Sequence, residues 1–208
     1  MQLKINKKEL LKRISFYLIG LLIACLGIAM IIYSKIGAGP WDAVFVGLNT
    51  KFGLTIGTWA IITQIILVFI AALIGKKRPE YECIITILLR GWFLDFWFYI
   101  GLKNLNLSTT ITMQWTNFIL GTILLGLGIG TYVVSKYPKT PVDGLMITLQ
   151  ETFNWSLRVS RTVVEIAAVI IAFLLQGPVG WGTLILAVLL GQIVQTTNNN
   201  MKKIYNKI

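Results

Sequence analysis

Six residues of this chain could carry polar chemistry in apolar surroundings: Trp41, Asp42, Gln64, Arg90, Asp143 and Glu165. Asp42 and Asp143 each stand two places after a proline, Pro40 and Pro141, at the head of a short apolar stretch. Two such carboxylates can bind a cation or couple protons. They can equally be structural, because a carboxylate in a first helical turn is favoured by the positive end of the helix dipole, and proline is tolerated there. Arg90 lies within a continuous apolar run, and a charge at that depth costs at least about 2.5–3.5 kcal/mol. It must face protein, water or a partner, or extend toward the membrane surface. Asp95 is five residues on, roughly 140° around a helix, and is poorly placed as a local partner. The expected partner of Arg90 is Glu165, Asp42 or Asp143. Gln64 stands 101 residues before Glu165, so polarity recurs at that offset. Together the six would bind a small molecule or an ion.

The same inventory excludes other chemistry. The chain has no histidine, which removes neutral-pH imidazole catalysis and histidine metal sites. Its two cysteines, Cys25 and Cys83, lie in apolar runs without CxxC spacing. No glycine-rich phosphate loop precedes a Lys-Ser/Thr, and no nucleophile is arranged with a base. Neither an enzyme activity nor a cofactor or metal is expected.

The elements that must position these residues follow from composition. The chain has 208 residues, 56% hydrophobic and only 13% charged, with a mean hydropathy of +0.76. Soluble domains carry about 25% charge, so the solvent must be lipid. Six continuous apolar segments are expected to span as helices, at 14–33, 54–74, 83–101, 118–134, 159–175 and 181–195, since each approaches the length of about 20 residues that a bilayer requires. Two shorter ones, 41–52 and 142–155, are half that length and are expected to be re-entrant or interfacial helices. The implied fold is an all-α polytopic membrane protein.

The chain also repeats itself. Ser34-Lys35-(x4)-Pro40-x-Asp42 returns as Ser135-Lys136-(x4)-Pro141-x-Asp143, and Gly20, Leu48 and Phe52 meet Gly121, Leu149 and Phe153 at the same offset of 101. With one residue dropped later, Ile85, Leu89 and Gly91 meet Ile185, Leu189 and Gly191. Three crossings per copy is an odd number, so the second copy should be inverted. The expected organisation is a basic cytoplasmic N-terminus at 1–13, a first membrane repeat at 14–101, an extracytoplasmic linker at 102–114, a second repeat at 115–195 and a basic cytoplasmic tail at 196–208. With both termini inside, fifteen of the 19 Lys and Arg fall inside and three outside, with Arg90 within a span. That is a strong positive-inside bias. The net charge of +11 therefore reports topology and not nucleic-acid binding.

Gly37-Ala38-Gly39-Pro40-Trp41-Asp42, followed by Gly53-Leu54-Thr55-Ile56-Gly57, resembles the YczE/YitT group of bacterial integral membrane proteins. Lys-Thr-Pro-Val-Asp-Gly at 139–144 and Gly180-Trp181-Gly182-Thr183 with Gly191 are similar to its second-half motifs, and Tyr81-Glu82-Cys83 departs from its pattern. The resemblance implies a location in the bacterial cytoplasmic membrane and a role as a small-molecule transporter or permease component. The alternative is a non-transporting membrane factor that assists maturation or export by another system. Expected partners are the lipid bilayer, an unknown small molecule or ion, and a second copy or partner subunit.

Overall fold

A computed structural model of the chain describes residues 7–105, 108–138 and 140–207. Lys4 and Lys139, counted above among the inside positives, lie outside the described residues. Eight α-helices make up the fold, and no strand occurs among the described residues. They are α1 (Lys7–Tyr33), α2 (Pro40–Phe52), α3 (Ile56–Gly75), α4 (Ile84–Phe96), α5 (Ile111–Val134), α6 (Pro141–Phe153), α7 (Leu157–Leu174) and α8 (Trp181–Lys207). A 3-10 turn at Tyr81–Cys83 leads into α4, and a wider π-helical turn at Trp97–Gly101 continues it. Thr55, Thr110, Thr140 and Ser156 cap α3, α5, α6 and α7, each accepting the N–H three residues on, which satisfies one of the donors a helix start leaves free.

Among the described residues, four segments are long and apolar enough to cross a membrane: Lys7–Tyr33, Ile56–Gly75, Tyr81–Gly101 and Ile111–Val134. The other two expected crossings are more polar. α7 carries Arg158, Arg161 and Glu165, and α8 turns polar from Gln192 and runs unbroken to Lys207. Large apolar side chains such as Leu73, Trp92, Phe173, Trp181 and Val188 stand fully or largely exposed on the outside of the bundle. Lipid is the solvent that tolerates such a surface.

The centre of the fold is the crossing of α1 and α5, which run antiparallel. Gly20 lies against Gly128 and Tyr132, while Gly27 lies against Gly121 and Leu125. A Cβ on Gly27 would stand 2.6 Å from the Gly121 carbonyl oxygen, and one on Gly128 would stand 2.6 Å from that of Gly20. In lipid no hydrophobic force joins helices, so small residues that admit backbone contact do this work. α8 packs along α5, with Gly126 against Ile193 and Gly130 against Thr197.

Local structure recurs at the offset of 101. α2 and α6 have 13 residues each. Lys35 and Lys136 both take the left-handed conformation after a helix, with φ of 61° and 56°. The hydroxyls of Ser34 and Ser135 each donate back one turn, to Ile31 and Tyr132, and accept the N–H two residues on. α2 packs on α7, and α6 packs on α3. α2 starts within the bundle at the buried Asp42 and ends at a surface, while α6 starts beside the cavity at the basic end and also ends at a surface. Asp42 of α2 meets the middle of α4, whereas Glu151 near the end of α6 meets Lys77 beyond the end of α3. One end of the bundle gathers the start of α1, the ends of α3 and α8, and Lys136. There Glu9 accepts from Tyr205, and Arg13 and Lys136 line one hollow.

Candidate functional site

The deepest charges of the bundle form one pair. The Arg90 guanidinium, on α4, donates to the Asp42 carboxylate in the first turn of α2 at 3.0 Å. Of the ion pairs between described residues, only this one has both side chains less than a fifth exposed. The pairing reflects cost, because a lone charge at that depth would lose its hydration without compensation. Cys25 of α1 donates to the Arg90 carbonyl, and the ring of Tyr17 meets that of Tyr132 edge-on and that of Tyr137 at a tilt. These three tyrosines and Cys25 were not singled out by sequence. Their signal was weak, since a tyrosine within an apolar run is as often an anchor as a lining residue.

The arginine fork is only half used. Its Nε is buried without a hydrogen-bond partner, and so are Nε1 of the adjacent Trp41, Oε1 of Gln64 and Oγ of Ser160. Trp41 packs against both apolar clusters of the bundle, the second of which joins Leu67, Leu145, Met146, Leu149 and Val164. Gln64 is fully buried one turn before Leu67, and its amide donates to the Ala60 carbonyl at 3.1 Å. Ser160 is likewise buried one turn before Val164.

The remaining expected site residues lie elsewhere. Glu165 pairs with Arg161 of its own helix, Nε to Oε1 at 2.8 Å, and not with Arg90. Asp143 is exposed and shares a 2.8 Å hydrogen bond with its own cap, Thr140. The contrast between the two aspartates follows from their surroundings. Position 190, the counterpart of Arg90, is Leu, so no cation waits for Asp143; position 39, the counterpart of Thr140, is Gly, so no cap holds Asp42. Asp95 is structural: its carboxylate accepts from the Thr55 hydroxyl at 2.5 Å and the Gly57 N–H at 2.7 Å, which ties the start of α3 to α4.

Two connections at opposite ends of the bundle differ in a way that bears on access. After α1, the chain is sewn to the α7–α8 connection. The Ala38 N–H donates to Pro178 at 2.9 Å, the Gly182 N–H to Ile36 at 3.1 Å, and the Thr183 hydroxyl to Ala38 at 2.7 Å. The approach requires glycine: a Cβ on Gly180 would stand 2.5 Å from the Ile36 carbonyl oxygen, and one on Gly182 would stand 2.9 Å from that of Gly37. Gly37 itself takes φ of +142°, a conformation open to glycine. The counterpart connections lie at the basic end, where Lys139, the counterpart of Ala38, is outside the described residues. Between them is a cavity of about 570 Å³ lined by Lys77, Arg78, Glu80, Glu82, Lys136 and Thr148 among others. Glu80, Glu82 and Cys83 occupy the positions that correspond to Gly180, Gly182 and Thr183. Lys77 is bonded to Glu151 at 2.8 Å, which holds its ammonium above the usual value, and Arg78 is bonded to Glu82 at 2.9 Å.

A lipid-facing helical bundle with several crossings and one buried ion pair defines a multi-pass helical membrane protein. The chain belongs to the family of unknown function DUF6198, which matches residues 11–199, and within it to the YczE-like proteins. It is 34% identical over 190 residues to the uncharacterized membrane protein YczE of Bacillus subtilis strain 168, covering 91% of this chain and 86% of that one. It is also 34% identical over 179 residues to the uncharacterized protein YyaS of the same organism, covering 86% and 89%. An uncharacterized protein of Haemophilus influenzae is 30% identical over 186 residues, covering 88% and 82%. No solved structure matches the chain.

Proposed function

We propose that this protein is a small-molecule carrier of the bacterial cytoplasmic membrane, built as an inverted repeat. In this reading α7 and α8 supply the fifth and sixth crossings, α2 and α6 are re-entrant half-helices, and both termini face the cytoplasm. The repeat is supported by the antiparallel crossing of α1 and α5, in which Gly20 meets Gly128 while Gly27 meets Gly121. Such an exchange of equivalent contacts is what a twofold relation produces. The orientation is supported by the gathering of Lys and Arg at one end.

The observation that carries the function is the contrast between two ends of the bundle, one hydrogen-bonded at 36–38 against 178–183, the other holding a cavity lined by Lys77, Arg78, Glu80, Lys136 and Pro141. A carrier exposes its centre to one side at a time, and an inverted repeat lets the two ends exchange roles. A second reading rests on Glu80 and Glu82. Their side chains prevent the basic end from closing by the glycine seam used at the other, which suits a fixed scaffold assisting export or maturation by another system. In the carrier reading the basic end closes through Lys136 and these carboxylates instead.

Thiol labelling separates the two. With Cys25→Ala and Cys83→Ala as background, Ala38→Cys reports the seam to an impermeant maleimide outside the cell, and Gly144→Cys reports the cavity from the cytoplasmic side. A carrier labels slowly at position 38, and more slowly once an adduct at 144 props the cavity open. Complete protection of position 38 under all conditions, with 144 reactive, supports the scaffold and overturns the carrier.

A further inference from the structure

Resting on the carrier reading, we infer that the transported species is a small oxyanion that moves together with a proton, with Arg90 binding the anion and Asp42 taking the proton. A guanidinium does not give up its proton, whereas a carboxylate can accept one. An anion can therefore open the Arg90–Asp42 pair without leaving a net buried charge. An anion replaces Asp42 on the guanidinium, and the displaced carboxylate takes a proton from water. An arriving cation would leave two positive charges together, a state that burial penalises heavily.

The geometry suits that exchange. A single 3.0 Å contact joins the pair, leaving Nε of Arg90 free and buried. The planar fork of a guanidinium matches carboxylate and phosphate oxygens in bidentate fashion. Trp41, which precedes Asp42 in sequence, carries another buried and unpartnered N–H. The Tyr17 hydroxyl, near Arg90, is also buried without a partner and can donate to an oxyanion. The other ionisable groups near the pair are Cys25 and Tyr17 of α1 and Tyr132 of α5. Of the helices packed against α2, α3 has no ionisable residue, and Arg158, Arg161 and Glu165 of α7 lie toward its far end from the contact with α2.

The test uses the purified full chain in detergent, with sodium acetate and sodium phosphate as probes against sodium chloride at equal ionic strength. Binding is read by thermal unfolding and by proton uptake in weak buffer. For the unaltered protein the apparent Kd should tighten up to tenfold per pH unit lowered, with one proton taken up per anion. Asp42→Asn keeps the shape of a protonated carboxyl, so its binding should be at least tenfold tighter at neutral pH, independent of pH and without proton uptake. The double variant Asp42→Asn/Arg90→Gln retains a neutral, hydrogen-bonding pair and should lose binding entirely. Binding that is independent of pH in the unaltered protein, survival in the double variant, or no binding of either anion to Asp42→Asn each overturns the inference. If binding follows the pair while position 38 stays fully protected, the anion site stands and the carrier reading fails. If position 38 opens while binding ignores the pair, the reverse holds.

Discussion

The crossing of α1 and α5 makes a quantitative demand that can be met or missed. Replace Gly27 by Ala and the new Cβ stands 2.6 Å from the Gly121 carbonyl oxygen, about 0.8 Å inside ordinary contact at 3.4 Å. The opposing atoms are backbone, so no rotamer change relieves the clash and the helices must separate. Overpacking of this kind costs about 1–3 kcal/mol, and a backbone clash belongs at the upper end. Replacing a helical glycine by alanine returns about 1 kcal/mol, so the net loss is about 2 kcal/mol. Gly128 faces Gly20 with the same 2.6 Å approach, and Gly128→Ala should lose the same amount. A Cβ on Gly191 would meet nothing within 4 Å, so Gly191→Ala should keep the helical gain and be neutral or stabilising. A thiol-reactive fluorophore suits the assay in a Cys83→Ala background, because Cys25 is buried and free and becomes reactive only on unfolding. Melting temperatures of Gly27→Ala and Gly128→Ala should fall together while that of Gly191→Ala does not. If Gly27→Ala melts no lower than Gly191→Ala, the close crossing is refuted, and the pairing of the two halves with it.

Three further outcomes can be checked with the same protein. Thr183→Val removes the hydroxyl that donates to the Ala38 carbonyl at 2.7 Å and leaves that oxygen buried, at about 1–3 kcal/mol; maleimide labelling at position 38 should accelerate accordingly. Asp95→Ala withdraws the acceptor for both the Thr55 hydroxyl and the Gly57 N–H, so it should lower the melting temperature by about 2–3 kcal/mol of stability, whereas Asp143→Ala, at an exposed cap, should lose only about 1 kcal/mol. Lys77→Ala breaks a pair whose side chains are 69% and 56% exposed and should leave melting unchanged. Because that pair raises the Lys77 pKa, its contribution is full below the ordinary lysine range and fades only as pH rises above it, so no change is expected between pH 6 and 9.

What could be read from sequence followed from forces that act locally. The apolar runs, the two proline-led short helices and the serine turns at 34 and 135 recur in the structure because length, propensity and backbone satisfaction determine them residue by residue. That Arg90 needs a buried carboxylate was legible from the cost of its charge. Which carboxylate it meets was not, because Asp42 and Asp143 look alike within their own segments. The distinction lies 48 residues away, in Arg90 against Leu190, and appears only when α4 is laid beside α2. The expectation that Glu165 belonged to the same site missed that Arg161, one turn earlier on its own helix, satisfies it first. Gly180-Trp181-Gly182-Thr183 was visible as a motif, yet its partner, the segment after α1, is named by no local pattern.

On the proposed repeat, the positions where the two copies agree and those where they differ divide by consequence. Gly20 and Gly27 agree with Gly121 and Gly128, and there the helices cross in equivalent contacts. Arg90 stands opposite Leu190, Gly180 and Gly182 opposite Glu80 and Glu82, and Gly57 opposite Arg158. The first difference leaves one buried ion pair among the described residues where strict symmetry would put two, which in the proposed carrier would make a single exchangeable site. The second makes one seam of glycine and backbone hydrogen bonds and the other of charges. A backbone seam is held by hydrogen bonds worth about 1 kcal/mol each, whereas a charged one weakens with salt and responds to what fills it. The third removes the close approach that Gly57 gives α3 and α4, and α8 packs on α5 instead. A chain selected only to span lipid would have no reason to break its symmetry at the pair and the two seams while keeping it at the crossing. In the carrier we propose, that distribution would serve a gated path with one binding centre.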